Sequence, residues 1–139
     1  MLPILIGSKS DLVFMADGLK HLDRLQVCYE VVVSSTHREP RQTSDKILAL
    51  LTEHKDIKVM IAGANAAGGL PGVLAGYLLD TNIVPIGVRF SHDPGQALIE
   101  DASFVLSSLP RGVPLLYAGF NSKGFEHACI LAARILGGV

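Results

Sequence analysis

The sequence predicts a three-layer α/β sandwich built on a parallel sheet, and three observations carry that prediction. Short β-branched runs alternate with segments of helical spacing from one end of the 139 residues to the other. Most of those runs lack apolar/polar alternation, as strands covered on both faces do. No internal repeat, linker or low-complexity tract interrupts the pattern, so residues 1–139 read as one domain.

The elements follow in order. Ile4 to Ile6 is the first strand and Leu12 to Leu25 the first helix. Val27 to Val33 is the second strand, and Tyr29 and Glu30 make it the one run with partial alternation. Pro40 to His54 is the second helix: Ile47, Leu48, Leu50 and Leu51 form an apolar stripe, and Arg41, Asp45, Lys46 and Glu53 decorate the rest. Ile57 to Ile61, Leu70 to Leu79, Ile83 to Val88, Gln96 to Ser108, a weaker strand Val113 to Tyr117 and Gly124 to Leu136 complete five strand-helix alternations.

Composition narrows the function classes. Of the residues 49% are apolar and 18% charged, and 12 Lys plus Arg against 13 Asp plus Glu leave a net charge of -1, which suits neither a disordered chain nor a nucleic-acid surface. The opening Met-Leu-Pro-Ile-Leu-Ile lacks the basic start of a secretory signal, and no apolar run reaches membrane-spanning length, so a cytoplasmic address is expected. Cys28 and Cys129 are far apart and outside any metal-ligand spacing, and both are expected as buried reduced thiols. Ala128 to Leu136 is apolar on most sides, more than one small core absorbs, which points to homo-oligomerisation.

In open parallel sheets ligands bind beyond the carboxyl ends of the strands, so the loops after the first three strands are where chemistry belongs. Gly7-Ser8-Lys9-Ser10-Asp11 offers backbone N–H groups at a helix start, the hydroxyls of Ser8 and Ser10, and the Lys9 charge, a set suited to a single phosphate. It is neither a Walker A loop nor the dinucleotide fingerprint. The competing reading is a capping box, Ser8-x-x-Asp11. Ser34-Ser35-Thr36-His37-Arg38-Glu39-Pro40 combines a guanidinium fork for a phosphate with an imidazole able to exchange a proton near neutrality, ahead of a helix that starts at Pro40. Here too Thr36-x-x-Glu39 could cap the helix instead. The stretch Ala62 to Gly72 is mostly Ala and Gly, which suits close backbone approach to a ligand or tight packing between subunits. His21 and His54 carry no evident chemistry, and His92 and His127 read as structural.

Taken together, Gly-Ser-Lys-Ser-Asp (7–11), Ser-Thr-His-Arg-Glu-Pro (35–40), Ile-Ala-Gly-Ala (61–64), Leu-Pro-Gly (70–72) and Leu-Pro-Arg-Gly-Val-Pro (109–114) resemble the PurE family of purine biosynthesis, in its order and at nearly its spacing. The likeness runs on to Leu-Ala-Ala-Arg-Ile-Leu (131–136). It implies a flavodoxin-like sandwich, a homo-octamer, and action on a ribonucleotide monophosphate and carbon dioxide with no metal or organic cofactor. It places Ser8 and Arg38 on the substrate phosphate with Ser35 beside it, and Asp11 on the ribose hydroxyls. Ser10, Gly63, Ala64 and Leu70 complete the expected binding set, and His37 is the expected proton shuttle. The implied reaction is that of an N5-carboxyaminoimidazole ribonucleotide mutase, with a direct phosphoribosylaminoimidazole carboxylase, or a divergent member that acts on or only binds another ribonucleotide, as alternatives. A flavin-bearing electron carrier is disfavoured by 6% aromatic residues and no Trp.

Four features depart from the family pattern. Gly69 stands where the mutase branch has His before Leu-Pro-Gly, and Ala64-Asn65 lacks the Arg of the carboxylase branch. The segment Arg89 to Asp101 is unlike the family's loop, and His127 replaces a usual Asn; both are expected to bear on the imidazole pocket.

Overall fold

The computed structural model describes residues 1–65, 69–93 and 109–138. Its centre is a five-stranded sheet in the order β2-β1-β3-β4-β5, formed by β1 (Leu2–Ile6), β2 (Tyr29–Val33), β3 (Val59–Ala64), β4 (Val84–Arg89) and β5 (Leu116–Phe120). Every neighbouring pair is parallel. That order is the flavodoxin-like one, and its topological switch lies between β1 and β3.

Alternate side chains of the central strands divide between two cores, which is why those strands are apolar throughout. Leu2, Ile4, Ile6, Val59, Ile61, Ile86 and Val88 face a cluster that includes Leu22 of α1 (Ala16–Arg24) and Phe125, Ala128, Cys129 and Ala132 of α4 (Asn121–Ile135). Leu5, Met60 and Ala62 face Ile47 and Leu50 of α2 (Pro40–Glu53) and Leu70 and Leu74 of α3 (Gly69–Tyr77). The sandwich therefore has helices on both faces, as the sequence predicts. β2 is an edge strand and only partly buried, in keeping with its residual alternation.

Several boundaries moved. The expected first helix is split into a 3-10 turn, Lys9–Phe14, and α1, joined at buried Met15. The last strand starts at Leu116 rather than Val113, because the Val113 amide is used on the Pro110 carbonyl (3.1 Å) and Pro114 has no N–H for a ladder. The last helix begins at Asn121 rather than Gly124. Gly124 packs its backbone directly on Gly119, where φ of 123° demands glycine, so β5 and α4 touch without intervening side chains. The expected helix Gln96 to Ser108 lies outside the described residues.

Cys28 corrects an expectation: it is exposed, because it precedes the edge strand rather than entering the core. Cys129 is buried as expected, and desolvation, aided by the charge of Glu126, pushes its thiol up to about 12. Among the described residues no helix is long and apolar enough to cross a membrane.

Candidate active site

The loops after β1, β2 and β3 meet in one cleft of about 370 Å³, within the size range of small-molecule sites. Gly7, Ser8, Ser10, Asp11, Ser35, Thr36, His37, Arg38, Ala64, Asn65, Gly69 and Leu70 line it. Of the residues expected from sequence, only Gly63 is missing from this wall. It lies one layer behind: a Cβ there would run into the Phe90 ring, so Gly63 gives Phe90 its seat beneath the cleft floor.

The first loop is bonded both within itself and to β3. The Ser8 hydroxyl accepts from the Ser10 N–H (3.3 Å) and shares a hydrogen bond with the Ser10 hydroxyl (2.9 Å). The Gly7 amide donates to the Gly63 carbonyl (3.2 Å) and the Asp11 amide to the Ser8 carbonyl (3.1 Å). The expected α-helix start is corrected to a 3-10 turn, and of the loop's N–H groups those of Gly7, Ser10 and Asp11 are bonded within the chain. Ser8 does cap that turn, but Asp11 does not reach back to complete a capping box.

Asp11 is instead buried, with 1% of its surface exposed, and its Oδ1 makes no hydrogen bond. His92 Nε2 approaches that oxygen at 3.4 Å, an ion-pair distance short of a hydrogen bond. Desolvation raises the Asp11 carboxyl above its ordinary range, and His92 partly offsets the rise. His92 follows β4, and its ring packs on Phe14 with centroids 4.9 Å apart.

The second loop is anchored at its base and open at its tip. Ser34 and Thr43 share a buried hydrogen bond of 2.6 Å, and the Lys46 ammonium donates to the Val33 carbonyl (3.0 Å), so the strand-to-helix passage is pinned from α2. Pro40 opens α2, as expected, and Glu39 caps it without a side-chain hydrogen bond. Thr36 is not a capping residue: its Oγ1 is buried without a partner. The Ser35 hydroxyl accepts from the Arg38 N–H (3.2 Å), which shapes the turn, while the exposed His37 ring and Arg38 guanidinium make no hydrogen bond or ion pair among the described residues.

Gly69, at the start of α3, has a direct role in that geometry. A Cβ built on it would lie 3.0 Å from His37 Nε2 and 3.7 Å from Thr36 Cγ2, so the imidazole occupies the space that a side chain at position 69 would need. The middle of the third loop, residues 66–68, lies outside the described residues. His127 does not join this cleft: it lines a separate, mainly apolar groove with Phe14, Phe120 and Lys123 at the end of β5.

His92, which reads as structural from sequence, lies within 3.4 Å of the cleft residue Asp11. The available signal was its place in the polar turn after β4, on the same edge of a parallel sheet as the other loops.

Comparison with known proteins finds relatives over nearly the whole chain. The family model described as AIR carboxylase matches residues 1–138. A protein of Pyrococcus abyssi named N5-carboxyaminoimidazole ribonucleotide mutase is 37% identical over 96% of this chain and 71% of its own length. Proteins of the same name from Thermotoga maritima and Aliivibrio fischeri are 35% and 34% identical, each over 96% of this chain and over 73% and 79% of their own lengths. Among solved structures, Treponema denticola PurE superposes with a TM-score of 0.73 at 22% identity, covering 98% of this chain and 79% of that one, a likeness of fold.

Proposed function

The chain belongs to the AIR carboxylase family, and on that premise we propose that it acts as an N5-carboxyaminoimidazole ribonucleotide mutase in purine biosynthesis. The observation that carries the proposal is the cleft that brings together the His37 imidazole and the Arg38 guanidinium, both unpaired among the described residues, and the buried Asp11 carboxylate. In this reading Arg38, with the Ser8 and Ser35 hydroxyls beside it, takes the substrate phosphate, since a planar fork of donors suits a tetrahedral dianion. Ser10 borders the same end. Asp11, acceptor-only when ionised, takes the ribose hydroxyls, and Ala64 and Leu70, over the Gly63 layer, wall the imidazole.

The chemistry asks little beyond positioning and one proton. The bond between the exocyclic nitrogen and its carboxylate carbon breaks, leaving carbon dioxide and the free amine. Carbon four of the imidazole then bonds to that carbon dioxide and loses its proton. The nitrogen gains a proton and carbon four gives one up, so a single residue that donates and then accepts closes the balance, and His37 is placed to do so. Small apolar walls favour recapture over escape of the gas. Gly69 supports this placement, because its missing side chain leaves the imidazole its room.

We also propose that the protein works as one domain in the cytoplasm and as a homo-oligomer, an octamer in the manner the family resemblance implies. Exposed Leu12, Val13, Leu48, Leu79, Leu116 and Ile135 support self-association. Incubation of the purified protein with aminoimidazole ribonucleotide plus bicarbonate, and separately with its N-carboxylated form, tests the reaction. The C-carboxylated product, followed by absorbance, is expected from the N-carboxylated form alone. Product from bicarbonate at an equal rate would favour the direct carboxylase, and product from neither would sink both.

A further inference from the structure

We propose that His92 is a positioning residue that orients the Asp11 carboxylate for the substrate's sugar hydroxyls, with Asn121 holding the turn that carries it. The inference deepens the reading of the cleft as a ribonucleotide site and rests on it.

Four observations converge on His92. The Asp11 carboxylate is almost wholly buried, lines the cleft, and has an oxygen with no hydrogen bond, an arrangement costly unless a ligand or cation completes it. His92 Nε2 lies 3.4 Å from that same oxygen, an ion-pair distance when the ring is protonated, and 46% of the His92 side chain is exposed. Phe14 packs against the imidazole with planes tilted by 45°, and Phe14 is itself stacked on Phe90 with centroids 5.5 Å apart and planes 10° apart. The turn is then clamped: the Ser91 N–H donates to Asn121 Oδ1 (2.8 Å), and Asn121 Nδ2 donates to the Ser91 carbonyl (3.0 Å).

That clamp has a backbone cost. Asn121 adopts φ of 56°, a left-handed conformation that Asn tolerates better than other side chains, and it does so where it can pair both backbone groups of Ser91. Ser91 in turn donates its hydroxyl to the Asp93 carbonyl (2.8 Å) and accepts from the Asp93 N–H (3.2 Å), so the residues on both sides of His92 are fixed. Among the described residues the ion pair of Asp11 is with His92, while Lys9 in the turn of Asp11, His37 and Arg38 after β2, and Arg89 and Asp93 on either side of His92 carry the other charges of these loops. His92 bears on Oδ1, so it can fix the plane of the carboxylate and with it the direction of the second oxygen.

The test compares wild type, His92→Ala and His92→Gln by steady-state kinetics on the N-carboxylated ribonucleotide, and by carbon-13 NMR titration of the Asp11 carboxyl without substrate. His92→Ala is expected to raise KM about tenfold with kcat within about twofold, since a charge-assisted contact that orients a binding group is lost. His92→Gln, whose amide can still donate to Asp11, should recover most of the KM. The Asp11 titration should move to higher pH in His92→Ala. An unchanged Asp11 titration, an unchanged KM, or a Gln variant no better than Ala would each overturn the assignment. Wild type inactive on the nucleotide would instead refute the proposed reaction, and the titration would still decide the role of His92.

Discussion

The loops after β1 and β2 look alike as sequence, both rich in Ser with charged residues before a helical segment, yet the structure uses them in opposite ways. The first consumes its own polar groups: Ser8 and Ser10 satisfy each other, and the amides of Gly7, Ser10 and Asp11 are bonded within the chain. The second is pinned at its base by Ser34 with Thr43 and by Lys46 and turned by Ser35, yet the His37 and Arg38 side chains stay uncommitted among the described residues. A polar loop that satisfies itself can position a ligand by shape, whereas reaction and charge recognition need groups whose hydrogen-bonding capacity is still available.

If that contrast is right, damage should be concentrated in the second loop. His37→Asn should lower kcat by about a thousandfold, within the usual contribution of general acid-base catalysis, with nucleotide affinity by calorimetry nearly unchanged. Arg38→Ala should raise KM roughly 10- to 100-fold with little change in kcat, because the phosphate contact is made in ground and transition states alike. Ser8→Ala should raise KM only about threefold, since its hydroxyl already serves the 3-10 turn. A Ser8 effect as large as that of Arg38 would erase the distinction between the loops.

Asp11 belongs to the first loop but breaks its pattern, and Asp11→Asn sharpens the comparison. Its carboxyl is raised chiefly by desolvation, so folding favours the protonated form more than the unfolded chain does. The stability this contributes is complete below the unfolded value of 3.8 and is lost as pH rises through the higher folded value. Asp11→Asn should therefore raise Tm at neutral pH, a gain that vanishes at strongly acid pH, while KM rises about severalfold with loss of the acceptor for the sugar. Thermal scans across pH beside kinetics read both effects.

Much of this was legible in the sequence because it rests on local pattern. Double-sided apolar runs gave the parallel sheet, and the strand-end rule led from Ser8, Asp11, Ser35, His37, Arg38, Ala64 and Leu70 to one cleft. Errors arose where tertiary contact overrides propensity. Val113 has strand character, yet its amide closes a turn and Pro114 cannot join a ladder. Cys28 is apolar enough for a core but precedes an edge strand. The Asp11–His92 approach and the fit of His37 against Gly69 each join residues from different strand-helix units, and no spacing rule connects them. Gly69, a departure from the family when read as sequence, is in the structure the neighbour that makes room for His37.

The central claim is that this cleft moves a carboxyl group from nitrogen to carbon four without letting it go. The most direct measurement supplies N-carboxylated ribonucleotide bearing a carbon-13 carboxylate, in unlabelled bicarbonate, and reads the label in the C-carboxylated product by NMR. The account predicts product formed with its label essentially undiluted. Product carrying the isotopic composition of the bicarbonate, or no C-carboxylated product at all, would contradict it.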